Sequence, residues 1–459
     1  MLPDVALLAI FDFYVYEKQI EAWHMLVHVC RKWRNVVFGS PRRLGLRLRC
    51  TPSTPVKETL DVWPLLPIVI RARNLETFVM DNILAALEHN DRICELELFL
   101  AASSQMEKVF TAMQQPFPAL ARLELEPIGE TVPIVPASFL GGSAPRLHVL
   151  RLVSVSFPGL TKLLPSATHL VVLIFRHIPH SGYISPEAVV TCLSVLTRLE
   201  SLDIGFGSPR SIPDRKSRRP LPPTRTLLPV LTKLAFQGVS EYLEDLVARV
   251  DAPLLGNLEI TFFHQLTFHT PQLTRFISRT PKFKGHDEAH VFFSPWKVSV
   301  NFRQTRHEAL KMEISCGQSD WQLSSLAQIC SLSFPQALIP TVERLYIQIG
   351  FLQLYWKDDI EISQWLELFH PLTGVKHLYL SQELVPRIAP VLQELVRERM
   401  TEVLPALQVL FLEEPLPSGP VQEAIGQFVA ARQLASHPIA VYRWFCAKGV
   451  RSDSDPYQY

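Results

Sequence analysis

The chain has 459 residues, 47% hydrophobic and 19% charged, with 37 prolines and a formal net charge of +1. That length suits a small module plus one large domain, and the apolar content is too high for intrinsic disorder. A charge this close to zero excludes the global electrostatic signature of a nucleic-acid or acidic-membrane binder.

The first predicted element is a helix opened by Leu2-Pro3-Asp4, with Pro3 tolerated at the first turn and Leu7, Leu8, Ile10 and Phe11 on one face. Asp4 and Asp12 flank the apolar run from Ala6 to Phe11 and no basic segment precedes it, so a secretory signal is not expected. A second helix is predicted over Trp23 to Arg34. Leu26, Val29, Cys30 and Trp33 stand at i, i+3, i+4 and i+7, which forms an apolar stripe on one continuous helix. Val36, Val37 and Phe38 make a third short helix, stopped by Gly39-Ser40-Pro41. Three helices in residues 1–45 cannot bury all this apolar surface by themselves. They either cap the domain that follows or present a face to a partner.

The pattern Leu2-Pro3, Leu7-Leu8, Ile10-Phe11, then Leu26 to Arg34, resembles the F-box, and Phe38-Gly39-Ser40-Pro41-Arg42-Arg43-Leu44 is similar to the continuation in many F-box proteins of fungi. The resemblance covers about a tenth of the chain. It implies that Leu2, Pro3, Leu7, Leu8, Ile10, Phe11, Leu26, Val29, Cys30 and Trp33 form the core or contact surface for a Skp-family adaptor. That adaptor would link the chain to a cullin-RING ubiquitin ligase. Val5 stands where the family often carries an acid and Met1 abuts the motif, so weakened adaptor binding is expected.

After a linker or N-terminal cap at 46–93, a unit of an apolar residue, two variable residues and L-x-L recurs over 94–415. Examples are Leu120-x-x-Leu123-x-Leu125, Leu147-x-x-Leu150-x-Leu152, Leu255-x-x-Leu258-x-Ile260, Val375-x-x-Leu378-x-Leu380 and Leu407-x-x-Leu410-x-Leu412. Most spacings match a leucine-rich repeat. The long interval from Leu258 to Leu310 predicts a hidden strand at Ala289 to Phe293. Helix starts fall between strands: a capping box at Ser104-x-x-Glu107, and Ser185-Pro186-Glu187. The expected fold is α/β: a three-helix N-terminal module followed by an irregular solenoid, parallel strands on its concave face and helices on its convex face. Where classical repeats carry Asn or Cys, this chain has Ile128, Val155, Ile178, Gly207, Val239 and Phe263, so no asparagine ladder is expected. Residues 207–226 read as a basic, Pro-rich loop containing Arg215-Lys216-Ser217-Arg218-Arg219, solvated or an import signal, and 416–459 as a C-terminal cap or tail.

Signals for catalysis are weak. His286 and His290 flank Asp287-Glu288-Ala289, but the acid is displaced from the H-E-x-x-H position, so an exposed loop entering a strand is expected rather than a metal site. The sequence has no G-x-S-x-G and no P-loop. The seven cysteines are scattered without C-x-x-C, which fits a reducing compartment, cytoplasmic or nuclear. The apolar run Leu170 to Phe175 is far short of a membrane span. Neither cofactor nor nucleic-acid or membrane partner is expected.

Residues between the strand leucines point away from the core. Early in the chain these are Glu95, Glu97, Glu124, Glu126 and Arg151. Late in the chain they are Arg344, Tyr346, Gln348, His377, Tyr379, Phe411 and Glu413. Tyr346, Tyr379 and Phe411 occupy the same repeat position and predict a ladder of rings. The ladder either binds a target or lies under a C-terminal segment from Val421 to Phe445. The resulting expectation is a non-catalytic substrate-recognition subunit of a Skp-cullin-F-box ubiquitin ligase, binding an unknown target. The alternative is a leucine-rich-repeat scaffold with no ligase role.

Overall fold

The computed structural model describes residues 2–18, 22–73, 80–100, 103–129, 131–211, 224–265, 267–304, 307–316, 319–334, 338–350, 362–397, 403–414 and 419–444. The chain forms two compact units, Met1–Leu231 and Thr232–Tyr459. The basic run Arg215 to Arg219 lies outside the described residues.

The first unit opens with helices α1 (Asp4–Lys18), α2 (Ala22–Val29) and α3 (Arg31–Gly39). The predicted continuous helix from Trp23 to Arg34 is broken at Cys30. That residue is extended (φ −161, ψ 168), and its sulfur accepts from the Trp33 backbone N–H at 3.5 Å, capping α3. The i to i+7 stripe therefore does not exist as one helical face.

Seven parallel strands follow in chain order: β1 (Leu48–Cys50), β2 (Ile68–Arg73), β3 (Ile93–Leu100), β4 (Arg122–Pro127), β5 (Val149–Val153), β6 (Val172–Ile178) and β7 (Ser201–Phe206). The stretch 46–93, read as a linker or N-terminal cap, is built of regular elements. It supplies β1, β2 and the helices Val56–Val62 and Met80–Leu87, and the repeats begin at Leu48. Ile68-Val-Ile-Arg-Ala lacks the leucine signature but has the β-branched character that buried parallel strands favour.

The L-x-L alternation does what period-two geometry requires. Leu123 pairs with Leu96 and Leu150, Leu125 with Leu98 and Leu152, and all of these are buried. Ser185 accepts from the Ala188 backbone N–H at 3.3 Å and Pro186 fills the first turn of the helix Pro186–Leu193, as predicted. The helix Ser103–Ala112 starts one residue before the expected cap Ser104. In place of an asparagine ladder, the chain takes left-handed backbone at Ser154 (φ 52) after β5 and at His177 (φ 52) within β6.

The second unit contains β8 (Lys233–Gly238), β9 (Asn257–Phe263), β10 (Glu288–Ser294), β11 (Lys297–Gln304), β12 (His307–Ser315), β13 (Arg344–Ile349), β14 (His377–Leu380), β15 (Val409–Glu413) and β16 (Ala440–Trp444). Their order in the sheet is β8-β9-β12-β11-β10-β13-β14-β15-β16. The hidden strand exists, as β10, but it does not follow β9. Leu258 of β9 pairs with Leu310 of β12, and β10 pairs with β13 instead. Between β12 and β10 lies β11, antiparallel to both. The long interval is therefore a three-strand meander laid down in reverse order. Its tight turn at Pro295-Trp296 joins Ser294 to Lys297, and Val298, Val300 and Phe302 of β11 alternate inward.

In its described part the segment 416–459, read as a C-terminal cap or tail, adds one more helix and strand. Helix Pro420–Leu434 buries Phe428 and Arg432, and Arg432 donates to the carbonyl of Leu407 at 3.1 Å. β16 then pairs in parallel with β15.

Candidate protein-interaction surfaces

In the N-terminal module the expected contact residues divide. Leu7, Phe11 and Leu26 are buried in the helical core, with Phe11 4.8 Å from the ring of half-buried Trp33. Leu8 is half-buried. Leu2 (54%), Ile10 (50%) and Val29 (58%) are exposed, as are Pro3 and Cys30. Sequence periodicity missed Val5, Phe13 and Met25, which are exposed apolar side chains of the same helices. The module is fixed to the repeats from below: Trp23 is fully buried, donates its indole N–H to the Arg47 carbonyl at 2.9 Å and meets Trp63 edge-on at 5.2 Å. The N-terminal turn is held by Lys32, which bonds the Leu2 carbonyl at 3.0 Å and pairs with Asp4 at 3.2 Å.

On the outward face of the first unit, register places Arg71, Glu97, Glu124 and Arg151 side by side. Glu95 is paired with Arg47 and Arg71. Glu97 pairs with Arg71 and Arg122, each at 3.2 Å, and Glu124 with Arg122 and Arg151. Glu126 pairs with Arg151 at 2.7 Å. These early outward residues neutralise one another in a lattice.

The outward face of the second unit changes chemistry along the sheet. Near its start Lys233 pairs with Glu259 at 3.0 Å, and Lys297 and Lys311 share Glu313 at 3.2 and 3.6 Å. Beyond β10 the column becomes aromatic. Register aligns His290, Tyr346, Tyr379, Phe411 and Tyr442 on five consecutive parallel strands. The ring centroids are 4.3 Å apart for His290–Tyr346, 4.1 Å for Tyr346–Tyr379 and 4.2 Å for Tyr379–Phe411, with interplanar angles of 4°, 12° and 2°. Phe411 and Tyr442 are looser, at 5.8 Å and 29°.

The predicted three-ring ladder is therefore real and two rings longer. Tyr442 was hidden because its flanking residues are Val441 and Arg443 rather than leucines; the alternation in Ala440-Val-Tyr-Arg-Trp was the available signal. His290 was missed because its place beside Tyr346 depends on the reversed meander. His286, expected in an exposed loop, is fully buried. No group of three or more metal-ligating side chains occurs among the described residues.

Around the ladder, Arg344 is paired with Asp287 and with Glu288 at 3.0 Å. The Glu413 carboxylate accepts from the Gln382 backbone N–H at 3.1 Å, and His377 leans on Phe411 at 6.3 Å. Gln348 is half-exposed on β13. Burial, then the charges of Arg303 and Arg344, push the His290 imidazole down to about 3, so it stacks as a neutral ring. Burial, then the neighbouring Tyr379, raise the Tyr346 phenol above its usual value and keep its proton in place. The C-terminal repeat does not fold over the ladder as one cover. It extends the ladder through Tyr442 and sends Trp444 back towards it.

No family model and no curated protein matches the chain. One solved structure to which it is similar is a leucine-rich repeat-containing protein, LegL7, from Legionella pneumophila. The two share 13% identity over 83% of this chain and 97% of that one, with a TM-score of 0.29. At that score the backbones do not superpose well enough to transfer fold or function. No helix among the described residues is long and apolar enough to cross a membrane.

Proposed function

We propose that this chain is a protein-binding repeat scaffold that serves as the substrate receptor of a Skp-cullin-F-box ubiquitin ligase. In this reading the N-terminal module docks the Skp-family adaptor and the aromatic strip of the second unit holds a target. The observation that carries it is the set of exposed apolar side chains, Leu2 just ahead of α1 and Val5, Ile10, Phe13, Met25 and Val29 on α1 and α2, helices that also bury Leu7, Phe11, Trp23, Leu26 and Val27. Exposed apolar patches of this kind mark contact sites. The chain itself would contribute proximity, raising the local concentration of target lysines near activated ubiquitin.

The test is co-purification with a Skp-family adaptor. Leu2→Ala with Pro3→Ala should lower adaptor capture at least tenfold and leave the melting temperature within about a degree, since both residues are exposed. Undiminished capture would remove the ligase assignment. A scaffold with no ligase role is the second reading. It is favoured by the break at Cys30, which divides the expected adaptor-binding stripe between two helices.

A further inference from the structure

Trp444, the last described residue of β16, does not stay over its own strand. It lies on the same outward face as Tyr442 and reaches across β15, donating its indole N–H to the Leu380 carbonyl of β14 at 3.2 Å. Its ring lies 5.5 Å from Tyr379 at 77° and 6.2 Å from Tyr346 at 66°. Both faces of Tyr346 are already taken, by His290 and Tyr379. Both faces of Tyr379 are taken, by Tyr346 and Phe411. The tyrosines can therefore offer only their edges, and it is the face of the indole that receives them. This is the favourable edge-to-face arrangement, in which electropositive ring edges meet an electron-rich face.

The strip thus already shows which chemistry fits it: a flat aromatic face, beside a backbone carbonyl able to accept a hydrogen bond. The strand that carries the indole is weakly held. Ala440 to Arg443 are all exposed, and β16 has a sheet neighbour on one side only among the described residues. Its own contribution to the ladder, Tyr442, is the loosest stack in it. Terminal strands with few buried contacts open at low free-energy cost.

We propose that Trp444 is an internal occupant of the aromatic strip, and that a partner is captured through an aromatic side chain that takes the indole's place on Tyr346 and Tyr379. This rests on the reading of the strip as the target surface. The partner class is a protein segment presenting a Trp, or a Phe or Tyr of similar reach. A Trp is favoured because it can also replace the N–H bond to Leu380.

The experiment uses the full chain and N-acetyl-L-tryptophanamide as the probe, followed by saturation-transfer NMR on the probe. Trp444→Ala should bind it saturably and at least tenfold more tightly than the unaltered chain, and adding Tyr379→Ala should abolish the gain. Equal weak binding by Trp444→Ala and the unaltered chain, with circular dichroism showing both folded, would overturn the proposal. If Trp444→Ala melts the last repeats, Trp444→Phe serves instead. It keeps a ring but loses the bond to Leu380, and should show a two- to fivefold gain; no gain overturns the proposal. A chain ended after residue 444 that gains probe binding while Trp444→Ala does not would make the chain's own tail the occupant, which also overturns it. Adaptor capture by Trp444→Ala should be unchanged. Loss of capture by Leu2→Ala with Pro3→Ala bears on the ligase assignment alone, so the two readings fail separately.

Discussion

In the first unit the outward column Arg71, Glu97, Glu124 and Arg151 is a lattice of charges; in the second the column His290, Tyr346, Tyr379, Phe411 and Tyr442 is a stack of rings. The backbone rule is the same in both: parallel strands in register place equivalent residues side by side, about 4.8 Å apart. That spacing lets carboxylates and guanidiniums bridge sideways, with Arg122 from the neighbouring row serving both Glu97 and Glu124, and it suits planar rings, which stack. The consequences for binding differ. Each acid of the lattice is satisfied by the arginines beside it, so a partner would have to break pairs already made. The rings satisfy one another through their faces, Tyr346 and Tyr379 also bond through their side chains, and the edges of both meet the indole of Trp444. On this comparison the second unit is the better candidate for the proposed target surface.

The comparison can be broken first at the inner columns, where the two units should behave alike. Leu123→Ala in the first and Leu378→Ala in the second each remove a fully buried side chain. Each should cost about 2–5 kcal/mol, read by denaturant unfolding. A cost near zero at either would show that its leucine column is not core. At the outward columns the units should part. Tyr379→Ala removes two stacked contacts and an edge-on contact with Trp444. About 2 kcal/mol should be lost, localised by hydrogen exchange to β13 through β15.

Acid should act on both units, since burial also holds the His177 imidazole of the first below its usual value, but the second carries two such groups. His290 and His286 both have imidazoles held below the usual 6.5, the first at about 3, because burial disfavours their charged form. The unfolded chain then binds the proton more readily than the folded one. Stability is complete above about pH 6.5 and falls as pH drops below it, by at most about 1.4 kcal/mol per pH unit for each such group. Around His290 stand Glu288 at 3.6 Å, Arg303, Arg344 and Tyr346. His290→Phe should flatten the acid limb of the second unit's melting profile; an unchanged limb would assign it elsewhere.

Smaller effects test the lattice. Glu124→Gln removes the charge shared by Arg122 and Arg151, whose side chains remain 42% and 23% exposed. Because water screens these partners, the loss should be about 1 kcal/mol, confined to β3 through β5. Smallest of all, raising salt to about 1 M shortens screening to ~3 Å and should weaken protection in the first unit by a few tenths of a kcal/mol, leaving the ring ladder unmoved. Equal salt sensitivity in both ladders would erase the contrast.

Much of this was legible in the residues because the repeat is local. Leucines at period two within a strand and apolar residues at helical spacing between strands specify strand, helix and burial without knowledge of distant partners. Signals weakened where another residue type took the leucine's place. Ile68 to Ala72 and Val441 to Arg443 form sheet strands with Ile70, Ala72, Val441 and Arg443 at positions that leucine fills on the neighbouring strand. At Cys30 the apolar spacing continued across a helix break, because hydrophobic periodicity does not report the extended backbone of a cap.

The sequence by itself determined that strands and helices alternate, which side chains point inward, and that Tyr346, Tyr379 and Phe411 share one repeat position, since each follows from spacing along a few neighbouring residues. Tertiary structure decided which strands are neighbours. The meander of β10, β11 and β12 enters the sheet in reverse order, which brings His290 beside Tyr346 and sets Leu310 beside Leu258. Trp444 likewise reaches Tyr379 only because β16 joins the sheet edge and its indole crosses β15. Pairing order depends on contacts between residues far apart in the chain, and local pattern carries no record of it.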